Sequence, residues 1–390
     1  MTVEVAQRLQ RQVLNRLKRR FVGREEIVDL IALAVTAGEH LFLLGPPGTA
    51  KSALIRQFAQ MIRGSYFEYL LTRFSEPNEL FGPVDLVKLR EGTVAIVTKG
   101  MLPEADVVFL DELFNANSAI LNNLLTVLNE RVYRRGAEVY RLPLLSLFSA
   151  SNHLPEDEAL AALFDRFLLR ARVESLPRED MPKLLAAGWA MECGADGADS
   201  DQATADDAAA ESAVPVTADD LRQLARQVLR VDLSGVYSVY ADAVVRLRDL
   251  GIAFSDRRAV KVLKLIAASA VLCGRQQAIG ADLWVLRYVW DRVEQIVPLG
   301  MLVAELLKAS PEDAEPRHRL ARLPEQADAA ELAQQLEQAE SRLTGQPLSL
   351  LELARLREEV VALTDRAAWV ADAQARAHLL QRGRTLLSRF

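Results

Sequence analysis

His40-Leu41-Phe42-Leu43-Leu44-Gly45-Pro46-Pro47-Gly48-Thr49-Ala50-Lys51-Ser52 is an apolar run that breaks into a glycine- and proline-rich turn ending in Lys-Ser, and an amphipathic stretch opens directly behind it. Strand, turn and helix in that order are the context a phosphate-binding loop requires. Backbone N–H groups of such a loop point at phosphate oxygens, and the helix N-terminus adds partial positive charge. Lys51 would then bridge the β and γ phosphates and Ser52 would bind Mg²⁺. Gly45, Pro46, Pro47, Gly48, Thr49, Ala50, Lys51 and Ser52 are therefore the candidate nucleotide-binding set. Ala50 stands where the second glycine of the full pattern sits. A methyl group is the smallest intrusion, and a residue entering the helix is expected to need no positive φ. Taken alone, the stretch competes with an ordinary strand-turn-helix.

Working outward, short apolar runs recur at His40 to Leu44, Phe67 to Leu71, Val107 to Leu110, Leu144 to Ala150 and Phe167 to Val173, separated by amphipathic stretches. That alternation predicts parallel strands joined by helices, an α/β layered domain. The third run ends in Asp111-Glu112, about sixty residues beyond the loop. At a strand end, Asp111 would hold Mg²⁺ through water and Glu112 would accept a proton from the attacking water. Acidic pairs after apolar runs are common, but one at this distance from a phosphate loop in an alternating pattern points to nucleotide hydrolysis. The fourth run ends in Ser151-Asn152, whose amide is a candidate for orienting the lytic water. Arg166, in Leu163-Phe164-Asp165-Arg166-Phe167, precedes the fifth run and is placed to reach a nucleotide held by a neighbouring subunit. For a single arginine the plain alternative is a surface ion pair. Ser255-Asp256-Arg257-Arg258 opens a later helix, with Ser255 as N-cap and Arg257 directed at the cleft between domains.

Upstream, helical spacing from Val3 through Leu17 ends in Lys18 to Arg20, and the chain turns at Val22 and Gly23 into a helix from Glu25 to Ala37. Between about Ala186 and Asp220 the composition shifts to Gly, Ala, Asp and Ser, with no Lys or Arg after Lys183 until Arg222. An acidic disordered loop is expected at about 190–217. Helical spacing resumes to about Ala304 and implies a small all-α domain. The last part carries apolar positions at Leu332, Leu336, Ala339, Leu343 and at Leu353, Leu356, Val360, Leu363, Val370, divided by Gly345 and Pro347. Steps of three and four predict a helical hairpin, either a core satellite or a docking arm.

The 390 residues are half apolar and carry a net charge of −6. A sizeable core is available, and nothing in the charge favours nucleic acid. No run of about eighteen apolar residues suggests a membrane span. A cytoplasmic protein is expected. Cys193 and Cys273 and four scattered histidines give neither a disulfide framework nor a zinc spacing.

In order, these motifs resemble the MoxR family of AAA+ ATPases, most closely its regulatory ATPase variant A (RavA) branch, over about residues 21–297. The stretches that carry the resemblance are Gly45 to Ser52 with its Ala50, Tyr69 to Ser75 followed by Leu80-Phe81-Gly82-Pro83, and Leu102 to Ala105 leading into Phe109 to Glu112. Ile120 to Asn122 through Leu128 to Arg131, Ala150 to Asn152 with Leu154-Pro155, and Ser255 to Arg258 complete it. The resemblance implies a P-loop AAA+ core at 21–176 with a helix-2 insert at about 74–100, behind an N-terminal helix at 1–20. An α-helical lid follows at 177–304 and the helical hairpin at 305–390. It further implies ATP and Mg²⁺ as ligands and a homo-oligomeric, hexameric ring with shared sites. Asn152 looks like sensor 1, Arg166 like the arginine finger and Arg257 like the sensor 2 arginine. Arg131 is a second candidate for reaching across the interface, and Val22 and Gly23 join the nucleotide-contacting set. Family members generally act as chaperone-like remodellers with a partner carrying a von Willebrand factor A (vWA) domain. The helical tail departs from the branch, whose C-terminal part is β-rich. A nucleic-acid-stimulated motor of the same insert clade and a nucleotide-gated scaffold with little turnover are the alternatives.

Overall fold

The computed structural model describes residues 2–92, 95–135, 138–155, 158–176, 178–192, 214–309, 317–321, 329–344, 350–367 and 373–389. Five strands form one parallel sheet: β1 (Leu41–Leu44), β2 (Tyr66–Leu70), β3 (Val107–Asp111), β6 (Ser146–Ser151) and β7 (Leu169–Arg172), in the order β2-β3-β6-β1-β7. All five coincide with the apolar runs. β1 and β6 are buried along their whole length, as a central parallel strand covered on both faces must be. β1 pairs with β6 on one side (Leu41 with Phe148) and with β7 on the other (Leu41 with Leu169). The carboxyl ends of β1, β6 and β3 therefore lie side by side on one edge, where open α/β sheets bind ligands.

Before the sheet, α1 (Thr2–Arg8), a π-helical run (Leu9–Leu14) and α2 (Asn15–Arg20) follow one another, and α3 (Glu25–Ala37) leads into β1. Leu9, Val13 and Leu17 belong to the main core. α4 (Lys51–Met61) leaves the phosphate loop, and α5 (Pro77–Phe81) and α6 (Leu86–Arg90) lie in the insert. α7 (Ser118–Glu130) is capped by Asn117, whose side chain accepts the N–H of Ile120. An antiparallel hairpin of β4 (Val132–Arg135) and β5 (Glu138–Arg141) follows, unanticipated from the sequence. Its Tyr133 ring stacks on Phe81 of α5 at 4.3 Å, which fastens the insert to the core.

After α8 (Glu158–Phe164) and β7, α9 (Met181–Glu192) runs into the stretch expected as an acidic loop. Residues 190–192 are thus helical, 193–213 lie outside the described residues, and 214–217 lead to the capping box of Thr217. The stretch that follows, expected as the lid, holds α10 (Ala218–Val228), α11 (Tyr237–Asp249), α12 (Asp256–Leu272) and α13 (Ile296–Lys308). Among the described residues the tail has three α-helices where a hairpin of two was expected: α14 (Ala329–Thr344), α15 (Leu350–Ala367) and α16 (Ala373–Leu387). Leu379 and Leu386 of α16 join Leu336, Val360 and Leu363 in a cluster separate from the main core. α16 crosses α15 so closely that a Cβ on Gly383 would lie 2.2 Å from Thr364 Oγ1. Val370, part of the expected seam, lies outside the described residues.

Two side chains, a buried histidine and a half-buried arginine, anchor the amino-terminal edge of the sheet. His40, 1% exposed, faces the Leu128 carbonyl with Nε2 at 3.2 Å and accepts the Leu147 N–H on Nδ1 at 3.1 Å. Burial, with Arg131 nearby, pushes its pKa down to about 3, so it is neutral at pH 7 with the proton on Nε2. Arg131 caps α7 with φ 55° and donates to the carbonyls of Leu144 (2.8 Å), Gly38 (2.6 Å) and Leu145 (3.2 Å). Burial lowers its pKa. Its guanidinium ties the end of α7, the approach to β1 and the approach to β6 within one subunit. In this arrangement those donors are committed to carbonyls of its own subunit and not directed at a neighbouring one.

His40 binds a proton in the unfolded chain below pH 6.5 but resists it in the folded one until about pH 3. Its stabilisation is therefore complete above pH 6.5 and is lost as pH falls, by about 2 kcal/mol between pH 7 and 5. Denaturant melts at those two pH values should show this difference and a smaller one in His40→Gln. Arg131→Ala should lower unfolding stability by at least about 2 kcal/mol through unpaired buried carbonyls, measured the same way. An unchanged midpoint would mean the arginine serves another purpose.

Candidate functional site

The phosphate loop is fixed by close backbone approach. Gly45 N–H donates to the Ser151 carbonyl at 3.0 Å, and a Cβ on Gly45 would lie 2.0 Å from the carbonyl oxygen of Val173. No side chain fits there. Gly48 takes φ 77° with open space around it. Ala50 has φ 61° and ψ 23°, against the expectation that it needs no positive φ: it is the N-cap of α4, still outside the helix, and lies in the left-handed region. For a non-glycine residue that costs about 1–2 kcal/mol, carried here by the loop.

Lys51 is 8% exposed, and its Nζ donates to the carbonyls of Gly45 (2.9 Å) and Pro46 (2.7 Å). Among the described residues these partners are neutral and no ion pair of Lys51 is formed. Burial lowers its pKa, and the nearby carboxylates of Asp111 and Glu112 oppose that shift. A buried cation that lacks a contacting anion, at the start of a helix, fits a polyphosphate group. Ser52, one residue into α4, and Asp111, at the end of β3, supply a hydroxyl and a carboxylate, the hard oxygen donors that Mg²⁺ takes.

Glu112 also has a left-handed backbone, φ 53° and ψ 48°, with its N–H donating to Asp111 Oδ1 at 3.0 Å. The turn ends β3 abruptly at the acid pair. Asn152 follows β6, the strand between β1 and β3, and is exposed, with Oδ1 2.5 Å from His153 Nδ1. Loop, acid pair and amide thus share one edge of the sheet.

Sequence reasoning missed Arg24. Its guanidinium donates to the Thr49 carbonyl at 3.3 Å and to the Glu174 carbonyl at 2.9 Å, joining the loop to the segment after β7. Partial burial lowers its pKa. The only signal was its place directly after the Val22-Gly23 turn. That turn borders the loop through Arg24, and Gly23, at φ 66°, has no room for a Cβ against Leu176.

Three of the expected arginines lie elsewhere. Arg166 sits on the amino-terminal side of β7, away from the strand ends that carry the loop, and pairs with its neighbour Asp165 at 3.1 Å. Its Nε is buried and has no hydrogen-bond partner among the described residues. Arg257 is exposed and donates to Asn129 Oδ1 of α7 at 2.7 Å, so it joins lid to core and is not brought to the phosphate loop. Arg131 is the staple described above.

Residues 7–212 match the model of the MoxR domain in the MoxR-vWA-beta-propeller ternary systems, and residues 241–301 match an AAA lid domain. An uncharacterized protein of Methanocaldococcus jannaschii, MJ0079, is 35% identical over 306 residues, 78% of this chain and 75% of its own. Chaperone MoxR1 of Mycobacterium tuberculosis is 26% identical over 161 residues, 40% of this chain and 42% of its own. A crystal structure of a candidate ATPase from Cytophaga hutchinsonii superposes with a TM-score of 0.59 at 16% identity, covering 80% of this chain and 97% of that one, a likeness of fold. A matched domain over more than half of the chain, its lid in the right order behind it, and a phosphate loop facing an acidic strand end place this chain in the MoxR family of AAA+ ATPases.

Proposed function

We propose that this chain hydrolyses ATP in a homo-oligomeric, hexameric ring and couples the cycle to chaperone-like remodelling of protein complexes together with a vWA-domain partner. The observation that carries the reading is Lys51, a buried cation contacted only by neutral oxygens, on the same sheet edge as Asp111, Glu112 and Asn152. Charge-assisted contacts to phosphate would replace its bonds to the Gly45 and Pro46 carbonyls. Mg²⁺, held by Ser52 and Asp111, would supply charge neutralisation at the phosphate oxygens. Glu112 takes the proton of the attacking water and Asn152 holds that water in line. Arg166 completes the site of the next subunit, in keeping with its position away from its own loop. Arg257 acts as sensor 2 once its bond to Asn129 is exchanged for the nucleotide.

The vWA partner is inferred from the family whose domain model the chain matches. Kinship with the regulatory ATPase variant A branch is proposed for the core and lid alone. A protein client is favoured over nucleic acid by the net charge of −6. The insert supplies an apolar surface for such a client: Phe74 is 92% exposed, and Leu86 and Val87 are also largely exposed. Among the described residues no helix is long and apolar enough to cross a membrane, and a cytoplasmic location is part of the proposal.

ATP turnover measured against protein concentration tests the shared site: specific activity should rise with concentration, vanish in Glu112→Gln and ignore added DNA. Stimulation by DNA would replace the client assignment with a nucleic-acid motor, and a flat signal that survives Glu112→Gln would leave a nucleotide-gated scaffold. Lys51→Ala should lose nucleotide affinity itself. Arg166→Ala should keep ATP binding and slow turnover by at least about 10³-fold, the usual worth of such a finger.

A further inference from the structure

The turn that carries Arg166 is held from below by one buried side chain. Arg170, on β7 and 1% exposed, donates Nε to the Phe167 carbonyl and Nη2 to the Phe164 carbonyl, each at 3.0 Å, so its fork grips both residues that bracket Asp165-Arg166. The guanidinium carbon also lies 3.8 Å from the centre of the Phe164 ring. Its remaining nitrogen reaches out of the core into the lid, donating to the Trp290 carbonyl and to Asp291.

Asp291 is a junction. Its Oδ1 also accepts Arg258 Nη1 at 2.7 Å, and its Oδ2 accepts the Ala253 N–H at 2.7 Å. Arg258, 2% exposed, donates Nη2 to the Val289 carbonyl at 2.6 Å and is the residue next to Arg257 at the start of α12. One carboxylate therefore serves two buried guanidiniums. One of them fixes the turn before β7, the other the helix start that presents Arg257.

We infer that Arg170, Asp291 and Arg258 form a positioning lock that sets the Arg166 turn against the lid, so that the finger offered to the neighbouring site is placed by the lid of its own subunit. The inference rests on the reading of Arg166 as a finger acting in trans. A network built only for stability would need no fork on both flanks of Arg166, since Phe164 and Phe167 are themselves buried on either side of that partly exposed pair. Planar, five-donor arginine is the side chain whose geometry fixes two carbonyls and a carboxylate at once, and lysine does not reproduce it.

A double-mutant cycle on the full chain tests this. Asp291→Asn, close in shape, should leave ATP binding and assembly size unchanged and lower turnover at saturating ATP by roughly 10- to 100-fold, the cost of a misplaced catalytic group. In an Arg166→Ala background the same change should have no further effect, because the group it positions is gone. Arg258→Lys, which keeps a cation beside Asp291, provides a second arm if Asp291→Asn does not fold, and should repeat the same non-additive pattern. Equal fold losses with and without Arg166, or full turnover in both single variants, would overturn the lock and leave the finger standing. Unchanged turnover in Arg166→Ala itself would overturn the finger reading, and the lock with it.

Discussion

Everything at the site depends on β1 being hydrogen-bonded on both sides, to β6 and to β7. Both neighbours are parallel to it and end in register with it, Ser151 and Arg172 lying opposite Leu44, so the backbone leaving Leu44 passes between them. Val173 N–H bonds the Leu44 carbonyl at 2.7 Å and Gly45 N–H bonds the Ser151 carbonyl at 3.0 Å. That passage admits no side chain at Gly45, and the turn that follows leads over the sheet edge into α4. The same parallel order sets Asp111 and Asn152 at the ends of the next two strands. One ladder thus fixes three chemically distinct groups without any of them contributing to the core.

Electrostatics explains why such an arrangement is held ready. Burying Lys51 among carbonyls costs hydration of the ammonium, as its lowered pKa records, and the carboxylates of Asp111 and Glu112 recover only part of it. The backbone is likewise strained at both sides of the site, with Ala50 and Glu112 each in the left-handed region. Strain and an uncompensated charge at the same edge are what a site shows when a ligand is meant to complete it. By contrast Arg131, equally left-handed, has its donors satisfied by carbonyls, and its strain belongs to the fold.

Strands were legible because each is a short apolar run next to a turn, and the loop and acid pair because their spacing is local. Hairpin β4-β5 was not, since Val132-Tyr133-Arg134-Arg135 and Glu138-Val139-Tyr140-Arg141 mix charged residues with valine and tyrosine and carry no long apolar run. Helix α16 was hidden for a similar reason: among its described residues only Leu379, Gly383 and Leu386 are buried, amid glutamine and arginine. Arg24 and Arg170 are harder still. Nothing in a sequence tells an arginine that grips carbonyls from one that faces water, because backbone oxygen is carried by every residue and Thr49, Glu174 and Trp290 are distant along the chain. Arg257 shows the converse limit: its motif was readable, but its partner Asn129 depends on where the lid rests.

The core beneath the site gives these parts a common support. Phe42 of β1 packs against Phe114, Phe164 and Phe167 with ring centres 5.1–5.9 Å apart. Phe114 follows Glu112 by two residues and lies 6.0 Å from the His153 ring beside Asn152, while Phe164 begins the Arg166 turn. The loop bearing the proposed base, the residue after the proposed water-orienting amide and the turn bearing the proposed finger are thus walls of one aromatic cluster. Interiors of this density do not deform continuously, so a shift at the Glu112 loop is accommodated by rearranging neighbours rather than by empty space. Phe164, with the Arg170 guanidinium on its face and Trp290 of the lid 6.5 Å away, is the neighbour that connects that rearrangement to the lid.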